Sequence, residues 1–228
     1  NFDSLPNEPV NTNLTFTNNS TITGLYSNRE IIRASNGSTN NGSLYAFGGT
    51  GSGERALGSI ASGTTGTVYY GFRFVNTGAI SLTNLQVSYT GELWRLTDVT
   101  ATQTIDFEFG IFDAGAGSIT GGGYTGIDSL DYAVTGSGTA QTGGVSSPIS
   151  TTSISNGAGT AINLAAGQEL WIRWADPDNA GTDHGMAIDN LTVTFSAAAA
   201  VPEPGTLALL APGLLAGAVL VARRRKAA

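Results

Sequence analysis

The chain contains no cysteine, one histidine and one methionine in 228 residues, and only 12% of its side chains are charged, about half the share of an ordinary soluble domain. Without cysteine there are no disulfides, no thiolate metal sites and no thiol nucleophile, so stability has to come from an apolar core. A lone His184 excludes a zinc centre built on several histidines. No Gly-x-Ser-x-Gly elbow accompanies it, so a serine-hydrolase arrangement has no nucleophile to offer. Positive charge is scarce too, and the net charge is −7. Such a surface repels nucleic acid, which is excluded as a partner. Helical periodicity of useful length is missing before residue 200.

What is abundant is glycine, 32 residues, with many Ser, Thr and Asn and a recurring two-residue alternation of apolar and polar side chains. Val68 to Phe74 is one such run, and Leu85, Val87 and Tyr89 begin another. Ile105, Phe107, Phe109 and Ile111 oppose Asp106 and Glu108, while Leu170, Ile172 and Trp174 oppose Trp171 and Arg173. Leu191, Val193 and Phe195 close the series. Short strands separated by turn residues predict an all-β fold, a two-sheet antiparallel sandwich of jelly-roll type. The glycine-rich middle, 115–144, reads as loop. Its Gly121-Gly122-Gly123-Tyr124-Thr125-Gly126 string has the letters of a dinucleotide fingerprint without the strand-to-helix context that gives them meaning.

The C-terminus is built differently. Val201-Pro202-Glu203-Pro204 precedes eighteen uncharged residues, Gly205 to Ala222, and then Arg223-Arg224-Arg225-Lys226. Eighteen residues at helical rise are just long enough to cross a bilayer core, predicting a single C-terminal transmembrane helix. A basic cluster at one end is retained in the cytoplasm, placing residues 1–200 outside. Each proline disfavours helix at the residue before it, so the Pro-Glu-Pro segment is an extended peptide that a protease can grip. This order resembles the PEP-CTERM sorting tag of bacterial exported proteins. The resemblance implies recognition of Pro202, Glu203 and Pro204 by exosortase, transient anchoring in the inner membrane, and release to the cell surface or extracellular matrix. It divides the chain into an exported domain (1–197), a small-residue linker (198–201) and the sorting and anchor segment (202–228). Asn1 stands without an initiator methionine or leader, as expected after removal of a signal peptide. Setting aside Glu203 and the four basic tail residues leaves six basic and sixteen acidic residues in the exported part, a charge of −10.

The densest polar segment, Trp174 to Asn190, carries Asp176, Asp178, Asp183 and Asp189. Hard oxygen donors on a tight loop suit a structural Ca²⁺, although Asp, Asn, Pro and Gly are equally the residues of turns, and the spacing is not that of an EF-hand. Asp106 and Glu108 share one strand face; they read as a solvated face or, if opposed across a cleft, as a hydrolytic carboxylate pair. Glu54 and Arg55, Glu92 and Arg95, and Arg173 lie beside aromatics or strands and point to structural ion pairs and cation–π contacts. These strings, with Leu170 to Val193, also resemble a module of secreted, tag-bearing bacterial proteins with no assigned activity.

The sequence thus favours a non-enzymatic, exported structural or adhesive protein that binds extracellular polysaccharide, with Trp171 or Tyr124 as stacking surfaces. Two other readings stay open. One is a polysaccharide hydrolase; the other is a fibre subunit in which Asn11 to Thr17 pairs with a neighbour's sheet edge.

Overall fold

The computed structural model describes residues 1–7, 11–150, 154 and 162–197. The chain divides into two units, Asn1–Ala197 and Ala198–Ala228. The sorting signature, the expected transmembrane helix and the basic tail lie outside the described residues, within which no helix is long and apolar enough to cross a membrane.

The first unit is all-β. Its strands are β1 (Asn13–Thr15), β2 (Leu25–Ser27), β3 (Ile31–Ser35), β4 (Ser43–Phe47), β5 (Ala56–Ile60), β6 (Val68–Val75) and β7 (Leu82–Leu96). They are followed by β8 (Gln103–Phe112), β9 (Thr125–Gly126), β10 (Tyr132–Val134), β11 (Ala140–Ser150), β12 (Asn163–Leu164), β13 (Glu169–Asp176) and β14 (Gly185–Ala197). The larger sheet runs β1-β3-β4-β5-β14-β7-β11, with β12 also on β7; the smaller runs β10-β8-β13-β6-β2, with β9 on β8. The two sheets face each other as a sandwich. One pair departs from the expected antiparallel pattern, because β3 and β4 run parallel, Ile32 opposite Leu44. The connection, 36–42, is seven residues, and its reach of roughly 3.3 Å per residue suffices to return the chain along a five-residue strand. That return path lays 36–42 across the outer face of the larger sheet. The glycine-rich middle is also more regular than its composition suggests, since it holds β9, a 3₁₀ turn at Asp128–Leu130, β10 and the start of β11.

The core fills from alternate residues of both sheets. Trp174 is its centre, stacked on Tyr70 at 6.0 Å and meeting Tyr89 and Phe107 edge-on at 5.3 and 5.5 Å. On β14, Met186 and Ile188 face this core, and so do Leu191 and Val193, although their positions differ in parity. A bulge resolves the mismatch. The register with β7 shifts between Asp189 and Thr192, and Asn190 takes φ +52°. One extra residue switches the face that the alternation addresses. Asp189 points away from the core, on the same face as Ala187. At the sheet edge, Asn13–Thr15 pairs antiparallel with β3 of its own chain, so the segment considered for strand exchange is already engaged.

Candidate functional site

The outer face of the smaller sheet carries the side chains that alternate away from Trp174. Arg73 pairs with Glu169, and Trp171 donates its indole N–H to Glu169 Oε2 at 3.0 Å. Arg173 pairs with Glu108 at 2.6 Å and lies over both Tyr69 and Tyr124. Arg173 Nη1 also reaches the carbonyls of Ile119 and Gly121, and the Gly115 amide donates to Glu169, so the loop after β8 is tied down over this face. The expected cation–π and ion-pair role of Arg173 is thus present. Trp171, however, is buried beneath Gly117 and against Tyr26, whose ring centroid lies at 4.7 Å. It offers no open stacking platform, and among the described residues no aromatic ring is fully exposed. Glu108 is taken up by Arg173, which leaves Asp106 without it as the second member of a hydrolytic pair. The Arg73 hydrogen bond chiefly holds the Glu169 carboxyl down at about 2.

The loop carboxylates read as a calcium site are divided by the fold. Asp176 ends β13 on its core-facing side, where burial, with Asp183 adding repulsion, pushes it up to about 7. Asp183 is raised to about 6 by burial first and then by Asp178, and it accepts the Asn179 amide at 3.1 Å. Asp176, Asp178 and Asp183 therefore feel one another electrostatically, whereas Asp189 stands on the outer face of the larger sheet. His184 is fully buried beside them. Its Nδ1 accepts the Thr97 amide at 3.2 Å, its own amide donates to Gln103 at 2.6 Å, and burial lowers its pKa. A neutral imidazole with these partners is a fastener between β7, β8 and the loop before β14.

A second buried layer sits on the outer face of the larger sheet. Tyr45 stacks on Phe47 at 4.7 Å and Phe47 on Trp94 at 6.0 Å, joined by Ala56, Ile60 and Ala187. Beside these rings, Glu54, Glu92 and Asp189 converge; each offers a carboxylate oxygen, and the three lie within 4.8 Å of one another. Among the described residues this is the one such grouping of three or more His, Cys, Asp or Glu, and of the four aspartates singled out from sequence only Asp189 belongs to it. Trp94 donates its indole N–H to Glu92 Oε2 at 2.8 Å, and burial pushes the Glu92 carboxyl up to about 7. The ion pairs on the outer face of the smaller sheet are Arg73–Glu169 and Arg173–Glu108, while Glu54 and Glu92 meet in this acidic cluster.

Next to the cluster, a groove of about 600 Å³ opens to solvent, with Asn36, Thr50, Ser52, Glu54, Gln141 and Thr142 around Trp94. Its rim is amides, hydroxyls and one carboxylate. Glu54 alone of the three acids lines it; Glu92 and Asp189 are buried beneath. Sequence could have pointed to the trio through parity. Glu92 and Trp94 alternate outward from Leu93, and Asp189 alternates outward from Ile188.

Beyond Ala197 the linear sequence carries the signal. Residues 200–226 match the PEP-CTERM protein-sorting motif. The motif implies an exported protein. No curated protein matches the chain. A solved structure described as TmCBM61 in complex with beta-1,4-galactotriose is similar at 10% identity and a TM-score of 0.31, covering 64% of this chain and 74% of that one. An overlap so slight decides nothing about this chain's ligand.

Proposed function

We propose that this is a non-catalytic component of the cell surface or extracellular matrix, structural or adhesive, that engages extracellular polysaccharide through the groove beside Trp94. The sorting motif supports the route. Gly205 to Ala222 would span the inner membrane, Arg223 to Lys226 would hold its cytoplasmic end, and exosortase would act at Pro202-Glu203-Pro204 to release the protein outward. The observation that carries the binding role is the groove's chemistry. The Asn36 amide, the Gln141 amide nitrogen and the Thr142 hydroxyl are engaged with Thr50, the Asn36 carbonyl and the Leu93 carbonyl, which leaves the Gln141 amide oxygen and the hydroxyl hydrogens of Thr50 and Ser52 to meet sugar hydroxyls. Because no aromatic ring is openly displayed among the described residues, recognition is by hydrogen bonding rather than by stacking on a platform. Weak, millimolar-class affinity is expected of so shallow a site.

A glycan array probed with the purified protein tests this reading. Binding to a defined polysaccharide class, lost in Gln141→Ala, supports it. A silent array leaves a structural role without glycan recognition, and equal binding by the variant places recognition outside the Trp94 groove.

A further inference from the structure

We infer that Glu54, Glu92 and Asp189 form a calcium-binding site on the outer face of the larger sheet, at the floor of the Trp94 groove. The inference does not depend on glycan binding. Three features carry it. The first is distance, since Ca²⁺ takes oxygen ligands at about 2.3–2.6 Å, so two ligands on opposite sides of one ion stand roughly 5 Å apart. Oxygens mutually within 4.8 Å fit inside a single coordination sphere. Second, Asp189 is 3% exposed, and its Oδ1 is fully buried and meets no donor among the described residues. A buried carboxylate oxygen that meets no protein donor carries a large desolvation cost, and a cation offsets it. The third feature is access, because Glu54 is exposed and lines the open groove, which supplies an entry path and room for water ligands.

The donor set selects the ion. All three ligands are hard carboxylates, with no histidine or cysteine among them, which disfavours zinc and copper. Mg²⁺ demands near-ideal octahedral geometry and keeps most of its water, whereas Ca²⁺ accepts an irregular mixture of carboxylate, carbonyl and water. Only three protein carboxylates supply the charge. That places the affinity in the class of extracellular modules, on the order of 10⁻⁴ to 10⁻³ M.

Terbium, which replaces Ca²⁺ and emits when excited through a nearby indole, is the probe. Trp94 is hydrogen-bonded to one of the ligands, so it is the antenna. With the purified chain, Tb³⁺ emission should rise saturably and be displaced by millimolar Ca²⁺ but not by equal Mg²⁺. Trp94→Phe should remove the emission while a Ca²⁺-dependent rise in Tm persists. Glu54→Gln changes an exposed side chain and leaves the fold intact, and it should weaken Ca²⁺ by at least about tenfold. Asp178→Asn, at the Asp176–Asp183 end, should change nothing. Absence of both Tb³⁺ emission and a Ca²⁺-dependent Tm overturns the site. So does emission that survives Trp94→Phe, or Ca²⁺ binding that is lost with Asp178→Asn and kept with Glu54→Gln.

Discussion

Arg173 lies over the ring of Tyr124 with its guanidinium carbon 3.6 Å from the ring centroid, while its Nε donates to Glu108 at 2.6 Å and its Nη1 to the Ile119 carbonyl at 2.7 Å. One side chain on β13 thereby holds a strand neighbour, an aromatic ring and the backbone of the loop after β8. A planar guanidinium can do all three at once because its donors and its π-face point in different directions.

Removing that side chain should cost more than any one of its contacts. Arg173→Ala leaves Glu108 without its partner and two carbonyls without a donor, and a loss of about 3 kcal/mol is expected. Arg173→Lys keeps the charge but not the fork or the stack, and should recover only part of it. Tyr124→Leu removes the ring beneath the guanidinium together with its hydroxyl bond to the Ser118 carbonyl, for about 1–2 kcal/mol. Urea unfolding of the three variants should give that order.

Stability should be highest in mildly acidic solution and fall on both sides. Glu169 is held at about 2, below its unfolded value, chiefly by the Arg73 hydrogen bond. Its contribution is complete above an ordinary glutamate pKa near 4.5 and is lost as pH falls towards 2. With Arg73 partly open to solvent, the contribution is on the order of 2 kcal/mol. Asp176 acts in the opposite sense. Burial raises it from 3.8 to about 7, so the folded protein holds its proton more tightly than the unfolded chain, and stability falls as pH rises between those values. Unfolding midpoints measured from pH 2 to 8 should show Glu169→Gln flattening the acid limb and Asp176→Asn flattening the neutral one.

Gly71 should tolerate no side chain. It lies between β2 and β13, opposite Tyr26 and Arg173, and a Cβ there would stand 2.0 Å from the Ile172 carbonyl oxygen and 2.6 Å from Arg173 Cα. Backbone on a central strand cannot move aside, so Gly71→Ala should cost about 3 kcal/mol or prevent folding. Gly53→Ala meets nothing within 4 Å and should change stability by less than about 0.5 kcal/mol. Thermal melts of the pair separate the steric effect from a general intolerance of alanine for glycine.

The sorting motif predicts a processed product. In a host with exosortase, mass spectrometry of released protein should find a form lacking Gly205 to Ala228. Replacing Pro202 and Pro204 by alanine should keep the chain in the membrane fraction, because the extended segment is no longer enforced. Released protein that keeps its whole tail would contradict the proposed processing.

Local pattern alone determined a good part of this protein. Two-residue alternation at 68–74, 105–111 and 170–174 marks strands whose inward residues form the core, because a pleated strand puts successive side chains on opposite faces whatever surrounds it. The sorting motif is likewise a linear signal, legible as an extended dipeptide repeat, an apolar run and a basic end. Long-range assembly was decided elsewhere. The parallel pairing of β3 with β4 and the ordering of the glycine-rich middle depend on surfaces that other strands provide. Proximity in sequence gathered Asp176, Asp178, Asp183 and Asp189 into one segment, yet Asp189 follows Ile188 on β14 and faces outward from the larger sheet, and the bulge at Asn190 returns Leu191 and Val193 to the core. On that outer face Asp189 meets Glu54 and Glu92, from two other strands or their loops. Which carboxylates share a site is a question of sheet order and of the face each strand presents after its bulges, and only the tertiary structure contains that information.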